Sequence, residues 1–398
     1  MEIIDIGSSI MVDKSELPLI KEVVDKGHKI SLQRGLYTNY PSSWGQIELR
    51  KAIVSVFKKK AGVKLDPNKE TMITQGIIKA VDTTLQSLVI SHVAIPSLSP
   101  YYIRSLAILR KKKIIEIPFD PYSGELKLSV IENKINKLNK KILFIISHPN
   151  SPTGRVFKNS FISNNLIPFV KKHGYLFSDS YVLATSFNNS KEIKPIISYE
   201  GAKEVTVEAI TLSKELGLPG IRIGGIVGNK EIINALRLYA SCSLDMVPGP
   251  NQQIAAIALN EIPFGVSAER IKEELANEII PSLLKLEWSF IKPDAGYDML
   301  LEVPPKCRSL AKRINIDPSL LTSMSIAIEY GVAFCPTNNF GKQGSNYVRI
   351  VLKQEKGTIP HALELLLEKG FNWNIYKPKK RTINSFLKTT EDLDITYL

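Results

Sequence analysis

The sequence predicts an α/β protein with a large domain built on a mostly parallel sheet and a smaller α+β domain. Between residues 71 and 228, short apolar runs alternate with helical patterns, as in a sheet wrapped by helices. After Pro281, amphipathic helices mix with short strands, which indicates a separate α+β domain. A chain of 398 residues has room for about two to three domains.

Seven apolar runs are the candidate strands of the large sheet. Each is followed by a Gly, Pro, Ser or Asn cluster, where a buried strand must leave its ladder and turn. Functional turns of such sheets lie at the carboxyl ends of the strands, so site residues are expected there. The predicted strands are Met72–Thr74, Val93–Ile95, Ile114–Ile117, Ile142–Ile146, Tyr175–Ser178, Val205–Leu212 and Ile223–Val227.

The predicted domain boundaries follow these patterns. The large domain is assigned to residues 36–284. The small domain combines residues 1–35 with 285–398 and contains candidate strands at Tyr297–Val303 and Tyr347–Val351. The polar, basic tail after Trp373 is expected to be loosely held.

Composition and charge argue against several functional classes. Hydrophobic residues make up 44% and charged residues 23%, which is typical of a globular chain. The net charge is +13, but the basic runs are short and dispersed, without the aromatic-interleaved stripe of a nucleic-acid-binding surface. A solvated surface is therefore predicted, and no nucleic-acid partner is expected.

Cysteine and histidine spacing indicates no metal site. The three cysteines form no CxxC pair and the five histidines no HxxxH pair, which fits a reducing cytoplasm. The N-terminus carries an acidic residue where a signal peptide is basic, and no apolar stretch reaches about 18 residues. Neither export nor membrane spanning is expected.

The segment TLSKELGLPGIRIG brings Lys214 from an apolar strand into a glycine-rich turn. Partial burial beside other cations favours the free amine of such a lysine, which can form an imine with an aldehyde. The hydroxyls of Thr211 and Ser213 and the guanidinium of Arg222 suit a phosphate. The segment resembles the SxSKxxGxxGxRxG signature of the class I and II aminotransferases.

This resemblance implies a fold-type-I enzyme that depends on pyridoxal 5′-phosphate (PLP), with a seven-stranded sheet in the large domain. Lys214 would be the catalytic residue, holding PLP as a Schiff base (aldimine) while an amino group moves between an L-amino acid and a 2-oxo acid. The resemblance covers residues 35–352, with the valine–pyruvate aminotransferases nearest in two turns. It also implies a homodimer that functions in amino acid metabolism.

The turn that begins at Thr74 predicts an anion site. It follows a strand and opens a helix, whose free N–H groups and dipole attract a phosphate. It resembles the TxGxxxA turn that binds the cofactor phosphate in the family, which implies the same role for Gly76. Ile77 and Ile78 are bulkier than the usual family residues, so only their backbone is expected to make contact.

The turn His148-Pro-Asn150-Ser151-Pro-Thr-Gly resembles the PxNPTG turn of the family. The asparagine that donates to the phenolic oxygen of the cofactor normally stands where this chain has Ser151. Either a one-residue shift lets Asn150 supply the donor, or the hydroxyl of Ser151 replaces it.

The family pattern DxxY implies that Asp179 pairs with the protonated pyridine nitrogen and keeps the ring an electron sink. Tyr181 stands at the second rather than the third position after Asp179. If Tyr181 were the aligned residue, Ser178 would take the carboxylate position. Asp179 is preferred, because a buried aspartate at a strand end needs a partner.

Three further aromatic residues are implied in cofactor binding. In the loop that begins at Pro96, strict spacing places Leu98 at the ring-stacking position, and one inserted residue would bring Tyr101 or Tyr102 there. Alternatively the two tyrosines only close a hinge. Tyr40 matches a tyrosine that crosses the dimer interface to the phosphate of the neighbouring subunit.

Arg349, in Tyr-Val-Arg-Ile, matches the family arginine that grips the substrate α-carboxylate by a bidentate pair. Gly7 matches the first family glycine and is assigned to the same substrate site. Two alternatives remain at this point. One is a PLP-dependent lyase, decarboxylase or cyclase, and the other a non-catalytic binding protein with the same fold.

Overall fold

A computed structural model describes residues 3–8, 13–180, 185–187, 193–243 and 246–384. The chain forms two compact units. The large unit comprises Val12–Glu269 and Asp294–Gly296, and the small unit comprises Met1–Met11, Arg270–Pro293 and Tyr297–Leu398. The domain boundaries given by the sequence stay a prediction.

The strands are numbered in chain order. They are β1 (Ile4–Asp5), β2 (Thr71–Thr74), β3 (His92–Pro96), β4 (Lys113–Ile117), β5 (Phe119–Asp120), β6 (Glu125–Leu126), β7 (Ile142–Ser147), β8 (Gly174–Asp179), β9 (Thr206–Thr211), β10 (Gly224–Gly228), β11 (Phe290–Ile291), β12 (Asp298–Glu302), β13 (Val332–Ala333), β14 (Cys335–Pro336) and β15 (Tyr347–Val351).

The α-helices are numbered in the same way. They are α1 (Leu17–Gln33), α2 (Ile47–Ala61), α3 (Gly76–Ser87), α4 (Tyr101–Leu109), α5 (Ser129–Asn136), α6 (Asn159–Phe161), α7 (Ile167–His173), α8 (Leu212–Glu215), α9 (Lys230–Cys242), α10 (Gly249–Glu261), α11 (Ala268–Glu274), α12 (Ile280–Lys285), α13 (Pro305–Ile314), α14 (Pro318–Tyr330) and α15 (Thr358–Glu368).

The large unit contains a seven-stranded sheet in the order β2-β10-β9-β8-β7-β3-β4. β10 runs antiparallel to both of its neighbours, and the other adjacent strands are parallel. All seven predicted strands lie in this sheet, each within one residue of the predicted ends. The predicted α/β class and mostly parallel seven-stranded sheet are confirmed.

Alternating side chains fill both faces of this sheet, which is why its strands read as continuous apolar runs. Met72 packs into one core cluster together with α3, α4 and α9 residues. Ile73 packs into the other cluster, with α1, α2 and α10 residues. On the second face α1 lies close to α10. A Cβ at Gly27 would lie only 2.5 Å from a side-chain carbon of Ile254.

The small unit contains a four-stranded antiparallel sheet, β11-β12-β15-β14, and a parallel pair of β1 with β13. Both strands predicted for this region are present as β12 and β15. Trp288 stacks on Phe371 with ring centroids 4.7 Å apart, and Phe371 in turn contacts Tyr376.

The expectation of a loosely held tail is wrong for its first part. Tyr376 and Thr382 are buried, and the Tyr376 ring packs against Tyr330 and Phe371 of the small unit. Residues 385–398 lie outside the described chain. None of the helices described is both long and apolar enough to cross a membrane.

Candidate functional site

Several of the predicted cofactor residues of the large unit lie at one edge of its sheet. Gly224, the first residue of β10, pairs with Thr74 on one side and Thr211 on the other. Asp179, the last residue of β8, pairs with Ala209 and Ser147. Because β10 alone is antiparallel, its start meets the carboxyl ends of the other six strands at the same edge, as in other α/β sites.

Lys214 lies in the short helix α8, directly after β9. Thr211 caps this helix, its hydroxyl accepting the Ser213 N–H at 3.2 Å. The cap fixes the turn out of the strand. Lys214 is partly buried and Ser213 is buried, so the lysine leaves the strand where the other predicted groups converge.

The N-terminus of α3 forms an anion cradle with Arg222. α3 begins at Gly76 with φ +79°, and the side chain of the preceding Gln75 makes no capping hydrogen bond. A Cβ at residue 76 would lie 3.2 Å from Nη2 of Arg222, so glycine lets the guanidinium approach the helix end. Arg222 is held by its Nη1, which donates to the Pro219 carbonyl at 2.9 Å. Helix N–H groups and a guanidinium together suit a phosphate.

The apolar side chains of Ile77 and Ile78 offer no hydrogen-bond donor to an anion. Ile77 packs against the apolar cluster beneath α3, and Ile78 is 41% exposed. Only the N–H groups of these two residues are suited to an anion. The Thr74 hydroxyl donates to the Gly76 carbonyl at 3.0 Å and so holds the turn.

Asp179 is only 3% exposed at the end of β8. Its Oδ2 accepts a hydrogen bond from the Tyr102 hydroxyl at 2.8 Å. Tyr101 is 52% exposed and lies edge-on to Tyr102. The structure therefore brings Tyr102 to Asp179 through its hydroxyl, and a stacking role for either tyrosine stays a prediction. Tyr181 lies outside the described residues.

Asn150 and Ser151 are both buried in the turn after β7. The Asn150 amide donates to the Leu98 carbonyl at 3.3 Å, and its oxygen accepts from the Thr153 hydroxyl at 2.7 Å. Asn150 therefore ties the turn to the loop after β3. The Ser151 N–H donates to the Ser147 hydroxyl at 2.8 Å. Contact of either residue with a cofactor stays a prediction.

Glu208 is a buried acidic residue that the sequence interpretation did not single out. It lies on β9, and its carboxylate accepts hydrogen bonds from the hydroxyls of Ser178 and Ser180, on either side of Asp179. Burial raises the pKa of Glu208 to about 7. A lone carboxylate inside the apolar run of residues 205–212 was the available signal.

Arg349 and Gly7 lie together in the small unit. Nη2 of Arg349 donates to the Gly7 carbonyl at 3.2 Å, and Nη1 lies 3.4 Å from a carboxylate oxygen of Asp298. The Gly7 N–H donates to the Asp5 carboxylate at 2.9 Å. The guanidinium is therefore oriented by groups of its own unit.

Tyr40 is 93% exposed in the loop between α1 and α2. Tyr37 and Trp44, in the same loop, are also exposed. Within the described ranges, no group of three or more His, Cys, Asp or Glu side chains could hold a metal ion.

Comparison with known proteins connects this geometry to a family. The family profile "Aminotransferase class I and II" matches residues 1–366. The chain belongs to this family. Like the aminotransferases to which it is related, it transfers amino groups, and the lyase alternative is not favoured.

Named relatives of this aminotransferase cover most of its length. It is 27% identical to a putative aminotransferase, AatC, of Rhizobium meliloti, over 91% of this chain and 86% of the relative. It is also 27% identical to the LL-diaminopimelate aminotransferase of Natranaerobius thermophilus, over 87% and 88%. An aminotransferase structure from Staphylococcus aureus shares the fold, with TM-score 0.81, 22% identity and coverage of 94% and 95%.

Proposed function

We propose that this aminotransferase binds PLP at the carboxyl edge of the large sheet and holds its aldehyde on Lys214. The observation that carries this proposal is the cradle in which Arg222 meets the N-terminus of α3, at the same edge as Lys214 and Asp179. When bound, the cofactor supplies an electron sink that labilises the bonds at the substrate Cα.

Different residues at this edge hold different groups of the cofactor. The first-turn N–H groups of α3, the hydroxyls of Thr211 and Ser213, and Arg222 bind its phosphate. Asp179, kept in place by the Tyr102 hydroxyl, pairs with the protonated pyridine nitrogen. Asn150 or Ser151 donates to its phenolic oxygen. The Lys214 amine then moves the proton that leaves the substrate Cα.

The substrates are proposed to be an L-amino acid and a 2-oxo acid whose α-carboxylate is bound by Arg349 and its neighbour Gly7. We expect Arg349→Gln to raise KM by at least about tenfold, because a charge-assisted pair contributes about 1.5–3 kcal/mol. The exposed Arg313→Gln is the matched control. An unchanged KM in Arg349→Gln would exclude Arg349 as the carboxylate receptor.

A single-substrate half-reaction tests the proposed function. With PLP bound and an amino donor added alone, we expect about one 2-oxo acid per cofactor and conversion of the cofactor to its amine form. Continuous product formation from the donor alone, with the starting spectrum retained, would instead indicate lyase chemistry. Screening several donors in this assay also identifies the preferred side chain.

The assembly is proposed to be a cytoplasmic homodimer in which Tyr40 reaches the phosphate site of the neighbouring subunit. The exposed aromatic residues Tyr37, Tyr40 and Trp44 support this surface as the interface. Sedimentation equilibrium should give twice the mass of the chain. A monomer that retains full activity would contradict the role of Tyr40.

A further inference from the structure

Glu208 lies on the face of the large sheet opposite to the one that presents Asp179. Its side chain is fully buried. Glu208 pairs in register with Ser178 of β8, and Asp179 pairs with the next residue, Ala209. Successive side chains of a strand point to opposite faces, so Ser178 and Ser180 face Glu208 while Asp179 faces the site.

The Glu208 carboxylate is hydrogen-bonded to neutral groups of two neighbouring segments. Oε1 accepts the Ser178 hydroxyl at 2.8 Å and also accepts the Ser180 hydroxyl. Oε2 accepts the Ile197 N–H at 2.9 Å. These three residues are all buried. Glu208 therefore ties the end of β8 to the segment that holds Ile197.

We call the hydrogen bonds from Ser178 and Ser180 to Glu208 the clamp. Because these two serines flank Asp179, the clamp acts on the peptide units that carry Asp179. Two backbone hydrogen bonds also hold that point, from the His148 N–H to the Asp179 carbonyl and from the Ser180 N–H to the Ala209 carbonyl. Those bonds fix the strand end. The serine contacts hold the two side chains that flank Asp179 on one face of the sheet, and the Asp179 side chain lies on the other face.

A buried carboxylate would be unfavourable at this position if it served only to fill space. Burying an acid costs free energy, and an apolar side chain of similar volume is often at least as stabilising. Of the other residues near Glu208 in β9, Val207, Ala209 and Ile210 are buried and apolar, and Thr206 is buried and uncharged. Glu208 is therefore explained by the hydrogen bonds that it makes.

We propose that Glu208 is a positioning residue that holds Asp179, through Ser178 and Ser180, in the direction needed to bind the pyridine nitrogen of the cofactor. The proposal rests on the proposed function for its consequence, whereas the clamp itself is a property of the chain alone. A carboxyl group held within a fraction of an ångström is the kind of preorganisation on which such sites depend.

Four variants separate this role from simple packing. Glu208→Met removes the acceptors at similar volume, and the double variant Ser178→Ala/Ser180→Ala removes the clamp from the other side. Glu208→Gln is the conservative rescue, because an amide can bond to the hydroxyls and to the Ile197 N–H. Thr206→Val is the matched control, since Thr206 is buried on the same face of β9, two residues away.

Two readouts are measured on each variant. The first is amide hydrogen exchange of residues 178–180 in the cofactor-free protein, which should be at least about tenfold faster in Glu208→Met and in the serine double variant. The second is the dissociation constant of PLP, which should rise at least about tenfold in the same two variants. Glu208→Gln and Thr206→Val should stay near wild type in both.

The outcomes distinguish the inference from the proposed function. Unchanged exchange in both clamp variants overturns the clamp, and faster exchange with unchanged PLP affinity overturns its action on Asp179. If Glu208→Met does not fold, the serine double variant decides. If the wild type fails to bind PLP, the proposed function and the role toward the cofactor both fall, and the exchange data still decide whether the clamp exists.

Discussion

Asp179 combines burial with a defined partner on the face of the sheet that presents it. The Tyr102 hydroxyl donates to one carboxylate oxygen, and the backbone carbonyl of Asp179 accepts the His148 N–H. A carboxylate held in this way acts on a cationic ring nitrogen from a fixed position. We therefore expect the charge of Asp179, rather than its shape, to be the property that matters for the reaction.

Replacing this charge should reduce turnover without disrupting the fold. We expect Asp179→Asn to lower kcat about 100-fold or more, because the amide can still accept from Tyr102 but no longer stabilises a protonated pyridine. Tyr102→Phe, which removes only the hydrogen bond, should lose about tenfold or less. Stopped-flow assays of both variants provide the comparison, and wild-type turnover in Asp179→Asn would refute the role.

The first turn of helix α3 is part of the proposed phosphate site. Gly76 is needed twice there, for its φ of +79° and because a Cβ would crowd the Arg222 guanidinium at 3.2 Å. Gly62, which ends α2, has a similar φ of +68° and nothing within 4 Å of its missing Cβ. Alanine substitution at these two positions therefore distinguishes the effect of backbone strain from the effect of losing the anion cradle.

Alanine at the two positions should give different results. Both Gly76→Ala and Gly62→Ala should lose about 1 kcal/mol of unfolding free energy from backbone strain. Only Gly76→Ala should also weaken PLP binding, by about tenfold, because Arg222 is displaced from the helix end. Fluorescence titration with PLP measures this effect. Equal PLP affinities in the two variants would argue against the cradle.

The strands could be predicted because buried strands read as apolar runs that end at turn residues, as in Ile142–Ser147. The antiparallel direction of β10 could not, because side-chain pattern carries no strand direction. The clamp at Glu208 was missed for a related reason, since its partners are 28 and 30 residues away in the chain. Motif spacing placed Asp179 and Lys214 at the correct strand ends, but the Tyr102 contact required the fold.

Two buried groups of the large unit give opposite dependences of stability on pH. Burial lowers the pKa of His148 to about 4. The contribution of His148 to the free energy of unfolding is therefore present above pH 6.5 and is lost as the pH falls through 4. Burial raises the pKa of Glu208 to about 7, so its contribution is present below pH 4.5 and is lost as the pH rises through 7. Between pH 4.5 and 6.5 the two effects oppose each other.

Removing the titration of Glu208 should reveal this balance. The difference in unfolding free energy, Glu208→Gln minus wild type, should increase by about 3 kcal/mol as the pH rises from 4.5 to 7.5. Urea denaturation at several pH values measures the difference. Thr206→Val, with no titrating group changed, should differ from the wild type by a constant amount. A Glu208→Gln difference that does not vary with pH would contradict the shifted pKa.

The covalent attachment of the cofactor to one lysine is the most direct test of this account. The protein is loaded with PLP, reduced with borohydride, digested and mapped by mass spectrometry. We expect the added cofactor mass on the peptide that contains Lys214, and we expect no such addition in Lys214→Ala. Attachment to a different lysine, or no attachment despite bound PLP, would contradict the central claim.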